Sequence, residues 1–346
     1  MTELHRNATV VDLHNDLILL VDHFDRRGKP GHFAEFWLPQ LRAGGVKVQV
    51  LPICLEDQFQ SEGGLRRTLL LAERIHRLAE EHPADVRICL TGAEVDAAVA
   101  AGRIAFVLAL EGAHGLGQDP ELIRTMGRVG VRVVSLAHLG RTFLADGSGL
   151  DDFSRGGLTP QGIEVLDEME RLGIVFDVSH LGVAGVDDVL ARASRPLLAT
   201  HSGCRAVADV HRNLSDQQVK AISDLGGVIG VAAAIPPFID PARPTAARVV
   251  DHIEHLASVG SIDAVGLGPD FVDDYFDEVF GGWQAPGLGL TPDWEVAEIQ
   301  RPADLPKLTD EMVSRGFSDE DVRKVLGGNA MRVLRTVMGV PGRPAE

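Results

Sequence analysis

The run Ile104-Ala-Phe-Val-Leu-Ala-Leu110 is unbroken in its apolar character and stops at Glu111-Gly112. Such a run suits a strand covered on both faces, as in a parallel sheet, rather than one with a wet side. Runs of the same kind recur at Thr9 to Leu13, Val46 to Ile53, Val131 to Ala137, Ile174 to Val178, Leu197 to Thr200, Val228 to Val231 and Ala264 to Leu267. Segments of helical period lie between them. The Thr159 hydroxyl can cap a helix, Pro160 suits its first turn, Ile163, Leu166 and Met169 share a face, and Gly173 suits a left-handed exit. Ser215 with Gln218 makes a capping box ahead of Val219, Ile222 and Leu225, and Gly226-Gly227 ends that helix. Leu65, Leu69, Ala72, Ile75 and Ala79 mark a further amphipathic helix, and Val322, Val325 and Leu326 a further buried stripe.

Buried strands alternating with helices predict an α/β fold, a single (β/α)8 TIM-type barrel spanning residues 1–346 with a long loop after strand 8. That loop is expected from Asp270 to Gln300, with Tyr275 and Trp283 in it. An open doubly wound sheet is the alternative, but the first strand-to-helix turn lacks a Gly-rich dinucleotide fingerprint.

The 346 residues include 33 Lys plus Arg and 50 Asp plus Glu, a net charge of -17 that repels nucleic-acid phosphates and acidic membrane surfaces. No apolar run approaches the roughly 20 residues of a membrane helix, and Met1 to Asp16 lacks the apolar segment of a signal peptide. A soluble cytoplasmic protein with no nucleic-acid or membrane partner is expected. Cys54, Cys89 and Cys204 are too few and too scattered for a disulfide framework or a thiolate zinc site, which fits a reducing compartment.

In a barrel of this kind the loops beyond the carboxyl ends of the strands line the active face. Four of the 13 histidines and three carboxylates stand there: His14 and Asp16, Glu111, His138, His180, His201 and Asp270. A His or Asp after any one strand is often a turn residue, but an array at six strand ends points to a shared metal centre. His14 and Asp16, one residue apart, can grip one ion; His180 and His201 supply neutral imidazoles to a second; Glu111 can bridge the two. Two divalent ions would activate a bridging water for hydrolysis. Asp270 would then move the proton and His138 would donate to the developing oxyanion. Arg212, just ahead of the Ser215 helix, can clamp a substrate carboxylate. His114, His211, Asp146 and Asn213 lie near these segments without an assigned role, and His76, His82, His252 and His255 are expected to be solvated on helical faces.

The motifs Val11-Asp-Leu-His-Asn-Asp16, Leu110-Glu-Gly112, Ser135-Leu-Ala-His138, Asp177-Val-Ser-His180, Thr200-His-Ser202, Arg212-Asn213, Gly226-Gly-Val-Ile-Gly230, Gly268-Pro-Asp-Phe271 and Gly327-Gly-Asn-Ala-Met-Arg332 resemble, in order and spacing, the membrane (renal) dipeptidase family, peptidase family M19, within the amidohydrolase-like metal hydrolases. The resemblance covers nearly the whole chain. It implies a (β/α)8 fold with two zinc ions, one held by His14 and Asp16, the other by His180 and His201, with Glu111 between them. It also implies substrate binding by His138 and Arg212 and proton handling by Asp270. The implied activity is cleavage of free dipeptides, often with a D-residue at the carboxyl end, by a homodimer. Mammalian members carry secretion and lipid-anchor signals that this sequence does not show, so membrane attachment is not expected. The loop Leu139-Gly-Arg-Thr-Phe-Leu-Ala-Asp146 departs from related members and leaves side-chain preference open. A metal hydrolase acting on N-acyl amino acids, lactones or phosphoesters, or a non-catalytic metal- or ligand-binding barrel, are the alternative readings.

Overall fold

The computed structural model describes residues 2–55, 63–149, 156–280 and 295–339. Its strands are β1 (Val10–Asp12), β2 (Val46–Cys54), β3 (Val86–Ile88), β4 (Ile104–Glu111), β5 (Val131–Val134), β6 (Val175–Phe176), β7 (Leu198–Ser202), β8 (Val228–Val231) and β9 (Val265–Leu267). One sheet runs β1-β2-β4-β5-β6 and a second β7-β8-β9, and every pairing is parallel. The sheets meet at two seams. Val178 N–H donates to Leu198 O at 2.8 Å beside the Asp177–Leu198 bridge, and Leu13 N–H donates to Leu267 O at 3.0 Å. The ring is thereby closed, as expected of an (β/α)8 barrel.

The segment Val86–Ile88 was not expected as a strand. It is short, interrupted by Arg87, and pairs only with Ile104–Phe106 at the start of β4, while β5 pairs with Leu108–Leu110 further on. The run at Ile174 ends sooner than its apolar character suggests, because Asp177 Oδ1 takes the N–H groups of Ser179 and Thr200, each at 2.9 Å, in place of ladder bonds.

Alternation along the strands divides the core in two. Val48 and Val50 of β2, Ala105, Val107 and Ala109 of β4, Val133, Val175, Leu198 and Val228 face inward and pack together with Val95, Met331 and Leu334. Leu51, Ile53, Phe106, Leu108 and Leu110 point outward under the helices. Each buried Leu or Phe contributes on the order of 1.5–3 kcal/mol, so both layers are needed to offset chain entropy. The helix Pro160–Leu172 starts at Thr159, which accepts Gly162 N–H, and ends at Gly173 with φ 67°. The Ser215–Gln218 capping box opens Asp216–Asp224 as expected. In Gly64–Glu81 the buried face is Leu71, Ala72, Ile75 and Leu78; Leu65 and Leu69 of the expected stripe are exposed, since the seam runs one step further round the helix.

The expected loop after the last strand contains the helix Asp273–Phe280, with the Tyr275 ring edge-on to His23; Trp283 lies outside the described residues. Among the described residues no helix is long and apolar enough to cross a membrane, and no disulfide is present.

Candidate metal centre

Glu111 continues the inward column Ala105, Val107, Ala109 and is 5% exposed. A lone carboxylate there would carry a desolvation cost of several kcal/mol, on the order expected for any buried ion. Four imidazoles face it: the Nε2 atoms of His180, His14, His201 and His138 lie 2.8, 3.3, 3.4 and 4.0 Å from Glu111 Oε1. Asp16 Oδ2 and Asp270 Oδ1 lie 3.9 and 4.0 Å from His14 Nε2. All seven strand-end residues singled out from the sequence converge on one point.

The backbone is bent to bring them there. Among the described residues only His180 (φ 68°) and Asp270 (φ 67°) are non-glycine residues in the left-handed region, a conformation costing roughly 1–3 kcal/mol that tertiary contacts must hold. Ser148 N–H donates to His180 O at 2.6 Å, and Asp270 N–H donates to His14 O at 3.1 Å. His14 in turn donates its N–H to Asp12 Oδ1 at 2.9 Å, and Asn15 Oδ1 accepts Leu17 N–H to start the helix Leu17–Arg26.

One hydroxyl orients two of the imidazoles. Thr200 donates its proton to Asp177 Oδ2 at 2.5 Å, so toward the rings its oxygen can only accept. It lies 3.0 Å from His201 Nδ1 and 3.4 Å from His14 Nδ1. The ring protons are thus held on Nδ1 and both Nε2 lone pairs are turned to the centre, the arrangement that metal-ligating histidines use. Gly230 and Gly268 leave room for this turn: a Cβ at either would collide with Thr200 O.

Electrostatics agree with a site shaped for positive charge. Burial opposes ionisation of Glu111, yet His14 and His180 hold its carboxyl well below the usual range. Burial likewise opposes a proton on His14, but Glu111, Asp16 and Asp270 raise it to about 10. Burial and the Glu111 charge push Asp16 well up, and burial lifts Asp270 to about 6 against the pull of His14. His180 and His201 are pushed far down, first by burial and then by Arg212 and neighbouring imidazoles. Their Nε2 atoms are 2.9 Å apart. Buried His14 Nε2 and Asp16 Oδ1 have no hydrogen-bond partner. The neutral imidazoles of His180 and His201, crowded against carboxylates and such orphaned atoms, fit divalent cations.

Arg212 is 4% exposed, donates from Nη2 to His201 O at 3.1 Å and lies over the Phe238 ring at 5.1 Å. Its loop is tied down from outside. Asn213 Nδ2 donates to Ala208 O and Phe238 O, each at 2.9 Å. His252, expected on a solvated helix face, is instead 1% exposed: its Nδ1 accepts Cys204 N–H at 3.1 Å and its Nε2 donates to Ile239 O at 3.0 Å. The partners come from distant loops, which a helical wheel does not show. Sequence reasoning gave no role to Thr200 or Asp177, although both sit on the inward parity of Leu198 and Val175.

The model of the membrane dipeptidase family (peptidase family M19) matches residues 1–284 and 273–343. Dipeptidase verJ of Clonostachys rogersoniana is 28% identical over 363 aligned residues, covering 99% of this chain and 88% of that protein. In fold the chain is similar to an amidohydrolase from Pseudomonas aeruginosa (TM-score 0.80, 24% identity, 97% of this chain and 98% of that one). It is similar also to a metallo peptidase from Rhodobacter sphaeroides liganded with a phosphinate mimic of the dipeptide L-Ala-D-Ala (TM-score 0.81, 24% identity, 95% and 99%). With the family model matched across nearly its whole length, the chain belongs to the membrane dipeptidase family, peptidase family M19, and is a metal-dependent dipeptidase.

Proposed function

We propose that the protein holds two zinc ions and hydrolyses the peptide bond of free dipeptides, L-Xaa-L-Xaa and L-Xaa-D-Xaa. The observation that carries this reading is the convergence of four Nε2 atoms within 4.0 Å of Glu111 Oε1, with Asp16 and Asp270 alongside His14. His14 and Asp16 would hold one ion, His180 and His201 the other, and Glu111 would serve both. When bound, the ions supply an activated water and a polarised scissile carbonyl.

The chain's own groups do the rest. Asp270, at the mouth of the barrel beside His14, takes a proton from water and returns it to the leaving amine. His138, 22% exposed at its side chain, donates to the carbonyl oxygen as that oxygen gains charge. The buried guanidinium of Arg212 reads the free carboxylate of the substrate, with Phe238 and His201 O holding its plane.

The test is a metal analysis joined to a substrate panel. About two zinc ions per chain and turnover confined to dipeptides with a free carboxylate are expected. Equal turnover of carboxyl-amidated dipeptides would remove Arg212 from its role, and preference for N-acyl amino acids would remove the dipeptide assignment.

A further inference from the structure

Cys54, the last residue of β2, is the register partner of Glu111 at the end of β4. By alternation it continues the inward column of Val48 and Val50, as Glu111 continues that of Ala105, Val107 and Ala109. The thiol and the carboxylate therefore leave neighbouring strands on the same side. Sγ of Cys54, an oxygen of Glu111 and a ring nitrogen of His138 all lie within 4.8 Å of one another. Cys54 and His138 are half-buried and Glu111 is buried between them. A second observation marks the same carboxylate as a cation ligand: His14 Nε2, 2% exposed and without a hydrogen-bond partner, is aimed at Glu111 Oε1 from 3.3 Å.

We propose that Cys54, Glu111 and His138 form an additional cation subsite, distinct from the His14/Asp16 and His180/His201 positions, that takes a borderline-soft divalent ion such as zinc or cobalt when that ion is in excess. Counting cysteines excludes an all-sulfur site, not a mixed one. Thiolate, imidazole and carboxylate together select zinc and cobalt over magnesium and calcium, which want oxygen ligands alone. As the metal–sulfur bond forms, the thiol proton leaves to solvent, and no oxidation state changes. Occupancy engages His138 and places a charge where a substrate carbonyl would approach, so excess zinc inhibits. This inference rests on the binuclear reading through the shared Glu111.

The test begins with full-length protein loaded with zinc and titrated with Co²⁺, followed by near-ultraviolet sulfur-to-cobalt charge-transfer absorption and by dialysis. The zinc content before titration tests the binuclear reading by itself. For the subsite, the wild type should gain one cobalt equivalent together with the sulfur band. Cys54→Ser and Cys54→Ala should keep their zinc, gain no such equivalent, lose the band, and need at least ~10-fold more zinc for inhibition, as expected for loss of a ligand. Cys89 and Cys204 are buried, with thiols pushed up to about 12, and are poor sources of the band. A band that survives in both variants, or equal cobalt uptake by variant and wild type, would overturn the proposal. Protein that takes up no zinc at all overturns the binuclear reading and this one with it.

Discussion

The Thr200 hydroxyl donates to Asp177 Oδ2 at 2.5 Å and presents its lone pairs to His201 Nδ1 at 3.0 Å. This relay sets which nitrogen of His201, and of His14 at 3.4 Å, is turned to the centre of the site. Thr200→Val removes the acceptor while keeping the shape. A fall of roughly 10–100-fold in metal affinity is expected, with Thr200→Ser close to wild type. Competition against a chelator measures it; an unchanged affinity in Thr200→Val would show that the tautomers are set elsewhere.

Asp270 is expected to move protons without being needed to hold the ions. Asp270→Asn should retain its metal and lose turnover by a factor of roughly 10² to 10⁴. Metal content and kcat of the same preparation check both halves, and parallel loss of metal would make Asp270 a ligand instead.

The guanidinium of Arg212 is expected to act through charge and fork geometry together. Arg212→Lys keeps only the charge, and kcat/KM for free dipeptides should drop roughly 10–100-fold, the worth of a charge-assisted hydrogen bond. Amidated dipeptides, which lack the carboxylate, should be hardly affected. Equal losses on both substrates would assign Arg212 to holding His201 O alone.

Gly268 passes so close to Thr200 O that no Cβ fits between them. Gly268→Ala should destabilise the fold by about 3 kcal/mol through overpacking, and push Thr200 off the imidazoles it orients. Urea unfolding reports the first effect and chelator competition the second.

His252 links acid sensitivity to the Arg212 loop. Burial lowers its pKa from 6.5 to about 4, and its Nδ1 accepts Cys204 N–H. The folded protein therefore resists a proton that the unfolded chain accepts. Its contribution is complete above pH 6.5 and is lost progressively as pH falls toward 4, in total roughly 3 kcal/mol. In His252→Gln the stability lost between those pH values should shrink by about that amount, read from urea midpoints. An unchanged pH slope would place the acid response on other groups.

The sequence alone determined the eight strand runs of the barrel ring, the capped helices between them and the ionisable residues that stand at the strand ends. Apolar period, caps and residues that terminate buried runs are local properties, set by side-chain alternation and by the cost of leaving an ion in an apolar place. Only the tertiary structure decided what depends on register and distant contact. Cys54 faces Glu111 because two strands separated in sequence align at those residues. Thr200 orients His14 because the chain closes a ring that brings β1 against β9 and β7 into reach of both. His252 is buried because Cys204 and Ile239 lie over its helix face. A periodicity in one segment names the face a residue takes; what stands opposite that face is fixed by the packing of the whole barrel.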